Sequence, residues 1–291
     1  MHVLSVSSLK GGVGKTTVSL GLASAAYAAG LRTLVVDLDT QCDASTGLGI
    51  VGDSHGTVVD VLKNPRHHVV LESIVASSWA AGRTGKVDVM VGDPNCDNFD
   101  SPDATTREVW KLEEALFRVE NDYDLVIVDT PPSLNGLTRT AWTASDRVLI
   151  VAEPGIFAVS AVERSLRAVE ELHAKLNDRL AVVGVVLNRL QNNFAEHDYR
   201  KTELAENIRD LLLPIEIRDR AAVQQAQGAA RPIHSWPGEA AAEISTNFDE
   251  LLKLVQASFA TEAKRRTRNR LNRSKRGQPA KRGFFRRTKK L

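Results

Sequence analysis

The sequence predicts an α/β fold: a doubly wound, mostly parallel sheet with helices on both faces. Three observations predict it. Short, β-branched apolar runs recur without the apolar–polar alternation of a half-exposed strand, as expected of strands covered on both sides. Stretches with apolar residues at three- and four-residue spacing separate those runs, which implies right-handed crossovers. The first run passes through a glycine-rich loop straight into a helix, the join that binds anions at the carboxyl edge of such sheets. With 43% hydrophobic residues in 291, the chain can bury one large core.

Taken in order, His2 to Ser7 reads as a buried strand and Gly11 to Gly14 as the loop after it. Lys15 to Ala29 reads as a small-residue helix closed by Gly30. Thr33 to Leu38 is the second strand, and Val87 to Val91 a shorter one that stops at the turn signal Gly92-Asp93-Pro94. Val109, Leu112, Leu116 and Val119 mark one helix with an apolar face. Leu125 to Val128 is a strand ending in Asp129, broken by Pro131 and Pro132. Arg147 to Val151 and Ala181 to Leu187 are two further strands, with a helix marked by Val162, Leu166, Val169, Leu172 and Leu176 between them. Ile244, Phe248, Leu251, Leu252, Val255 and Phe259 mark the last packed helix. The folded domain is expected to span residues 1–260, and 261–291 to form a basic, disordered tail.

Charge divides the chain in the same place. Residues 261–291 carry 14 Lys/Arg against one acid, Glu262, whereas the first 260 carry 24 bases against 35 acids. The net charge of +2 therefore conceals an acidic body and a strongly basic tail. Cys42 and Cys96 stand in no metal-binding or redox spacing and read as reduced thiols. No apolar run is long enough to span a bilayer, and the first residues carry no targeting pattern, so a cytoplasmic protein is expected.

The strongest local signal is Lys10-Gly11-Gly12-Val13-Gly14-Lys15-Thr16-Thr17. Glycines allow backbone N–H groups to converge on phosphate oxygens, and the following helix adds its positive end. Lys15 is placed to reach the β- and γ-phosphates of a nucleotide, and the Thr16 hydroxyl to ligate Mg²⁺. The loop departs from the ordinary phosphate-loop pattern. Leu9 stands where the first glycine belongs, and a second lysine, Lys10, precedes the glycine pair. Asp37 and Asp39 close the second strand, at the sheet edge where ligands bind. Asp129, at the end of another apolar strand, can hold a magnesium-bound water. Asn188 closes another strand; a strand-end asparagine is as readily a turn residue as a ligand contact.

In this order, and from about Val3 to about Ile233, these segments resemble the ParA/MinD family of deviant Walker-A ATPases. The resemblance implies a ParA/Soj-type partition ATPase that uses ATP and Mg²⁺. It casts Lys10 as the signature lysine that reaches across a dimer to the partner's nucleotide. Asp39 would orient the attacking water, Asp37 would sit near the magnesium shell, and Asn188 would contact adenine. Residues 214–228, with Arg218 and Arg220, loosely resemble the family's base-covering loop and following helix. Thr40 stands where the family pattern has proline, although Gln41 is retained.

The activity so implied is slow, partner-stimulated ATP hydrolysis by an ATP-dependent homodimer that binds DNA non-specifically, is nucleoid-associated, and positions chromosome, plasmid or other large cargo. A ParB-like or adaptor protein would be the stimulating partner. The candidate DNA contacts are Lys264, Arg265, Arg266, Arg268, Arg270, Arg273, Lys275 and Arg276, with Arg189 and Arg218 as lesser ones. A charge run is also what a merely solubilising tail looks like. The alternative function is a MinD-like membrane-associated regulator of division site or polarity, for which Phe284-Phe285 between basic clusters would supply the apolar contact. A cluster carrier or metabolic ligase on the same fold lacks both the cysteine pattern and an identifiable substrate pocket.

Overall fold

A computed structural model describes residues 1–50, 55–79, 85–191 and 194–276, with side chains as far as Ala260. Its centre is β1 (His2–Ser7), whose residues after His2 are all buried. The glycine loop leads to α1 (Lys15–Ala28) and back to β2 (Arg32–Asp37). Next come α2 (Asp43–Gly47), α3 (Val58–Lys63), α4 (His67–Glu72), β3 (Ile74–Ala76) and β4 (Lys86–Met90). A 3₁₀ turn (Pro94–Phe99), α5 (Thr106–Val109) and α6 (Lys111–Phe117) precede β5 (Leu125–Asp129). The second half runs α7 (Gly136–Thr143), β6 (Arg147–Ala152), α8 (Ala158–Lys175), β7 (Ala181–Leu190) and α9 (Ala195–Ile208). It closes with β8 (Leu212–Arg218), α10 (Ala221–Gly228) and α11 (Glu239–Arg276).

The eight strands lie in the order β3-β4-β2-β5-β1-β6-β7-β8. Every pairing is parallel except β3 with β4 at one edge. The predicted doubly wound sheet is thus the observed one. Its two faces carry separate cores. On one, Leu22 of α1 packs with Phe248, Leu251 and Val255 of α11. On the other, Leu112 and Leu116 of α6, Trp142 of α7 and Val162 and Val169 of α8 cover the strands. The α1–α11 contact is close: a Cβ on Gly21 would stand 2.1 Å from Cζ of Phe248, so only glycine fits beneath that ring. Among the described residues no helix is long and apolar enough to cross a membrane.

Several expected elements differ. The single helix read from Val109 to Val119 is two, α5 and α6, meeting at Trp110, although the four marked residues are all buried as expected. β2 ends at Asp37, so Asp39 lies in the loop beyond it instead of closing the strand. Residues 212–218 form the edge strand β8, so the stretch 214–228 compared with a loop and following helix opens as a strand before α10; Pro214 is tolerated there because an edge strand need not donate on both sides. The boundary expected at residue 260 falls inside α11, which continues to Arg276. The stretch from Glu262 to Arg276 contains no glycine or proline and is dominated by Lys and Arg, which are good helix formers, so nothing in it stops the helix. The remainder of the tail, with Phe284 and Phe285, lies outside the described residues.

Candidate nucleotide-binding site

The carboxyl ends of β1, β2 and β5 converge on one cleft of about 540 Å³. Its lining includes Gly11, Gly12, Gly14, Lys15, Thr16 and Thr17 of the loop and the start of α1, Asp39 to Gln41 after β2, Pro132 after β5, and Arg189 at the end of β7. Gly12 (φ +78°) and Gly14 (φ +85°) take left-handed backbone conformations that a side chain would strain. Gly14 is also crowded: a Cβ there would meet Nδ2 of Asn188 at 2.2 Å. The loop's backbone then enters α1 with no side-chain cap on its first N–H groups, leaving them for a ligand.

Asp129 organises the floor. It is fully buried and its two oxygens accept from the hydroxyls of Thr16 and Ser19, each at 2.7 Å. Thr16 and Ser19 are one turn apart on α1, so a single helix face clamps the carboxylate. Asp37 is its register neighbour across β2 and β5, and is also fully buried. One Asp37 oxygen accepts from the backbone N–H and the hydroxyl of Ser45, both at 2.8 Å; the other, Oδ1, is buried without a partner. Burial and the Asp129 charge push the Asp37 carboxyl up to about 7, and burial pushes Asp129 up to about 6 against the opposing pull of Thr16, Ser19 and Lys15.

Two buried acids side by side, one with an orphaned oxygen, need a proton or a cation. This donor set suits Mg²⁺, which is held by one or two carboxylates and hydroxyls and takes its remaining ligands from phosphate and water. Among the described residues no cluster of three His, Cys, Asp or Glu could cage a metal alone, so phosphate would have to complete the shell.

Asp39, also buried, accepts from the Gln41 N–H at 3.1 Å. Lys15 is buried, whereas Lys10 is half-buried on the cleft rim. The Lys10 ammonium lies 3.8 Å from where a Cβ on Gly155 would stand, in the loop after β6, and no described carboxylate pairs with it. Asn188 lies near the end of β7, beside the phosphate loop. Its amide nitrogen donates to the Val13 carbonyl at 2.7 Å and buttresses the phosphate loop from below. Arg189, in a left-handed conformation (φ +57°), donates to the Gly12 carbonyl beside it. The Cys42 and Cys96 thiols, near the same carboxylates, are each pushed up to about 12, chiefly by burial, and stay protonated at neutral pH.

Three supporting residues were not anticipated. Ser19 could have been found from its one-turn spacing after Thr16. Ser45 and Asp100 carried no such signal. Asp100 accepts from Ser133 Oγ at 2.9 Å and from the Leu137 N–H at 3.0 Å, anchoring the loop that follows Asp129 to the first turn of α7.

A parallel sheet with this loop at its carboxyl edge, and with Thr16, Asp37 and Asp129 gathered beneath it, defines a P-loop nucleotide-binding protein. Residues 1–182 match the family model described as an AAA domain. The chain is 31% identical over 241 residues to the chromosome partitioning protein ParA of Caulobacter vibrioides, covering 80% of this chain and 86% of that protein. It is 31% identical over 260 residues to the sporulation initiation inhibitor protein Soj of Bacillus subtilis, covering 88% and 98%. The fold is shared with Cyanothece McdA, solved in complex with ATP: the TM-score is 0.75 at 20% identity, over 88% of this chain and 96% of that one. The chain belongs to the ParA family of partition ATPases.

Proposed function

We propose that this protein is an ATP-gated dimerisation switch: it binds Mg²⁺–ATP in the cleft, pairs face to face with a second copy over that cleft, associates with DNA, and is reset by slow hydrolysis. The observation that carries this reading is the pair of lysines. Lys15 is buried under the loop, where a phosphate would be, while Lys10 stands on the rim with no carboxylate partner among the described residues. A rim cation without such a partner is suited to another chain's phosphates, where it would stabilise charge developing at transfer. Mg²⁺ would be held by the Thr16 hydroxyl and Asp129, with Asp37 behind it, and would neutralise charge on the β- and γ-phosphates. Asp39, at the cleft wall, would orient the attacking water. McdA, which shares the fold, has been solved with ATP, and the ParA and Soj relatives support a role in partition. A ParB-like or adaptor protein is the expected stimulating partner, and a nucleoid-associated cytoplasmic location follows from the DNA reading.

Mixing two inactive variants tests the trans arrangement. Lys10→Ala lacks the donated cation and Asp39→Ala the water-orienting group. A mixed dimer contains one site with an intact Asp39 served by an intact Lys10. Equal mixing should restore up to about a quarter of wild-type hydrolysis, since each mixed dimer has one complete site of its two. Activity no greater than the mean of the two separate variants would refute donation across a dimer.

A further inference from the structure

Eight of the 14 Lys/Arg of the basic segment lie on α11, and the body fixes where that helix leaves. Phe248 lies over Gly21 in the middle of α1, whereas Ser258 and Phe259 meet the opening residues of two strands. The buried Arg147, first residue of β6, donates to the Ser258 carbonyl at 2.8 Å, and its guanidinium stands 5.5 Å over the Phe259 ring. That ring stacks on His2, first residue of β1, at 4.2 Å. α11 therefore runs antiparallel to the strands and departs at the amino edge of the sheet. The nucleotide cleft occupies the carboxyl edge, a strand length or about 20 Å away. Past Ala260 the helix continues from 261 to 276, about 24 Å. Those residues include eight Lys/Arg and one acid, on a molecule whose first 260 residues are net acidic.

We propose that this helical arm is a DNA tether belonging to each protomer, independent of the nucleotide cleft, and that the ATP dimer carries two such arms at its outer ends and bridges two DNA segments. The bridging rests on the face-to-face dimer proposed above. A dense, nearly acid-free run of Lys and Arg binds phosphate backbones without sequence preference. From Lys264 to Arg273 the arm has one large apolar residue, Leu271, which gives a bilayer little to bury. When two protomers join over their clefts, the two arm roots stand more than about 40 Å apart, each leading away from the joint. Roots so placed, leading in opposite directions, face separate DNA segments, so dimerisation adds a second DNA instead of tightening the first.

The test uses the full chain with a short duplex fixed to beads and a second, fluorescent duplex in solution. Affinity for a single duplex is expected to agree within about twofold with ATP, with ADP and with no nucleotide, and to fall steeply with salt. Capture of the second duplex is expected with ATP only. It should drop at least about tenfold in Lys15→Ala, which keeps its single-duplex binding. Replacing Lys264, Arg265, Arg266 and Arg268 by Gln in the full chain should weaken single-duplex binding by at least about tenfold and leave ATP-dependent dimer mass unchanged. Single-duplex binding that requires ATP, or that survives the four substitutions, overturns the tether. Retention by anionic phospholipid vesicles without any DNA binding overturns it in favour of a membrane arm. A chain that stays monomeric with ATP yet binds the duplex overturns the dimer and the bridging alone.

Discussion

Replacing Asp37 by asparagine should make the nucleotide-free protein more stable and, at the same time, deaf to Mg²⁺–ATP. Asp37 and Asp129 are fully buried register neighbours, and the Asp37 carboxyl is pushed up to about 7, chiefly by burial and then by the Asp129 charge. An acid raised in the folded state holds a proton that the unfolded chain has lost. Its contribution is therefore most favourable below about pH 4 and is lost as pH rises toward 7. From an unfolded value near 3.8, forcing the charge at pH 8 costs about 4 kcal/mol; at pH 5 the cost is about 2 kcal/mol. Asparagine carries no charge, keeps an oxygen to accept from Ser45, and removes that cost. The gain at pH 8 should raise the thermal midpoint by at least about 5 °C, and the gain at pH 5 should be roughly half as large. Wild-type protein should regain about two thirds of the pH 8 difference when Mg²⁺–ATP is added, since a ligand at a hundred times its Kd contributes about 2.7 kcal/mol, and the variant should respond little. Thermal unfolding followed by circular dichroism at the two pH values, with and without Mg²⁺–ATP, checks all of this. A variant less stable than wild type at pH 8, or a gain that grows as pH falls, would refute the reasoning.

Two further perturbations test particular contacts. Asn188→Ala removes the buried amide that supports the Val13 carbonyl, and should cost about 1–3 kcal/mol of stability and weaken ATP and GTP alike; calorimetric titration with both nucleotides would expose a base-specific role as a loss confined to ATP. Gly21→Ala drives a methyl into the Phe248 ring and should destabilise the protein by about 1–3 kcal/mol in urea unfolding, with Phe248→Leu in the same chain restoring much of the loss.

The sheet was legible because its strands are covered on both faces. β1, β2, β5, β6 and β7 are continuous apolar runs, and each was placed within a few residues. What escaped were elements whose position is set by the rest of the fold. β3 is three residues pairing at an edge, too short for any pattern. β8 contains Pro214, which argues for a loop until the strand is known to lie at the edge. α9 is polar along most of its length, with few buried residues to give it a period. At the site, loop residues and strand-end acids were readable because phosphate and magnesium chemistry fixes their types and order. Ser45 was not, because its role comes from α2 folding back onto Asp37, a contact eight residues away that no local spacing announces. Asn188 was located correctly at a strand end, but its partner, the Val13 carbonyl, depends on how closely β7 passes beneath the loop. The helical extent of α11 is hidden because a dense run of like charge reads as a solvated tail, although the stretch to Arg276 holds no helix breaker.

The most direct test of the switch is the mass of the full chain in solution by analytical ultracentrifugation, with Mg²⁺–ATP and with Mg²⁺–ADP. Asp39→Ala is included to slow hydrolysis, and Lys10→Ala to remove the rim cation. The account predicts the 31.8 kDa monomer with ADP and about twice that mass with ATP, most completely in Asp39→Ala and not in Lys10→Ala. A monomer with ATP in every variant, or a dimer indifferent to nucleotide and to Lys10, would contradict it.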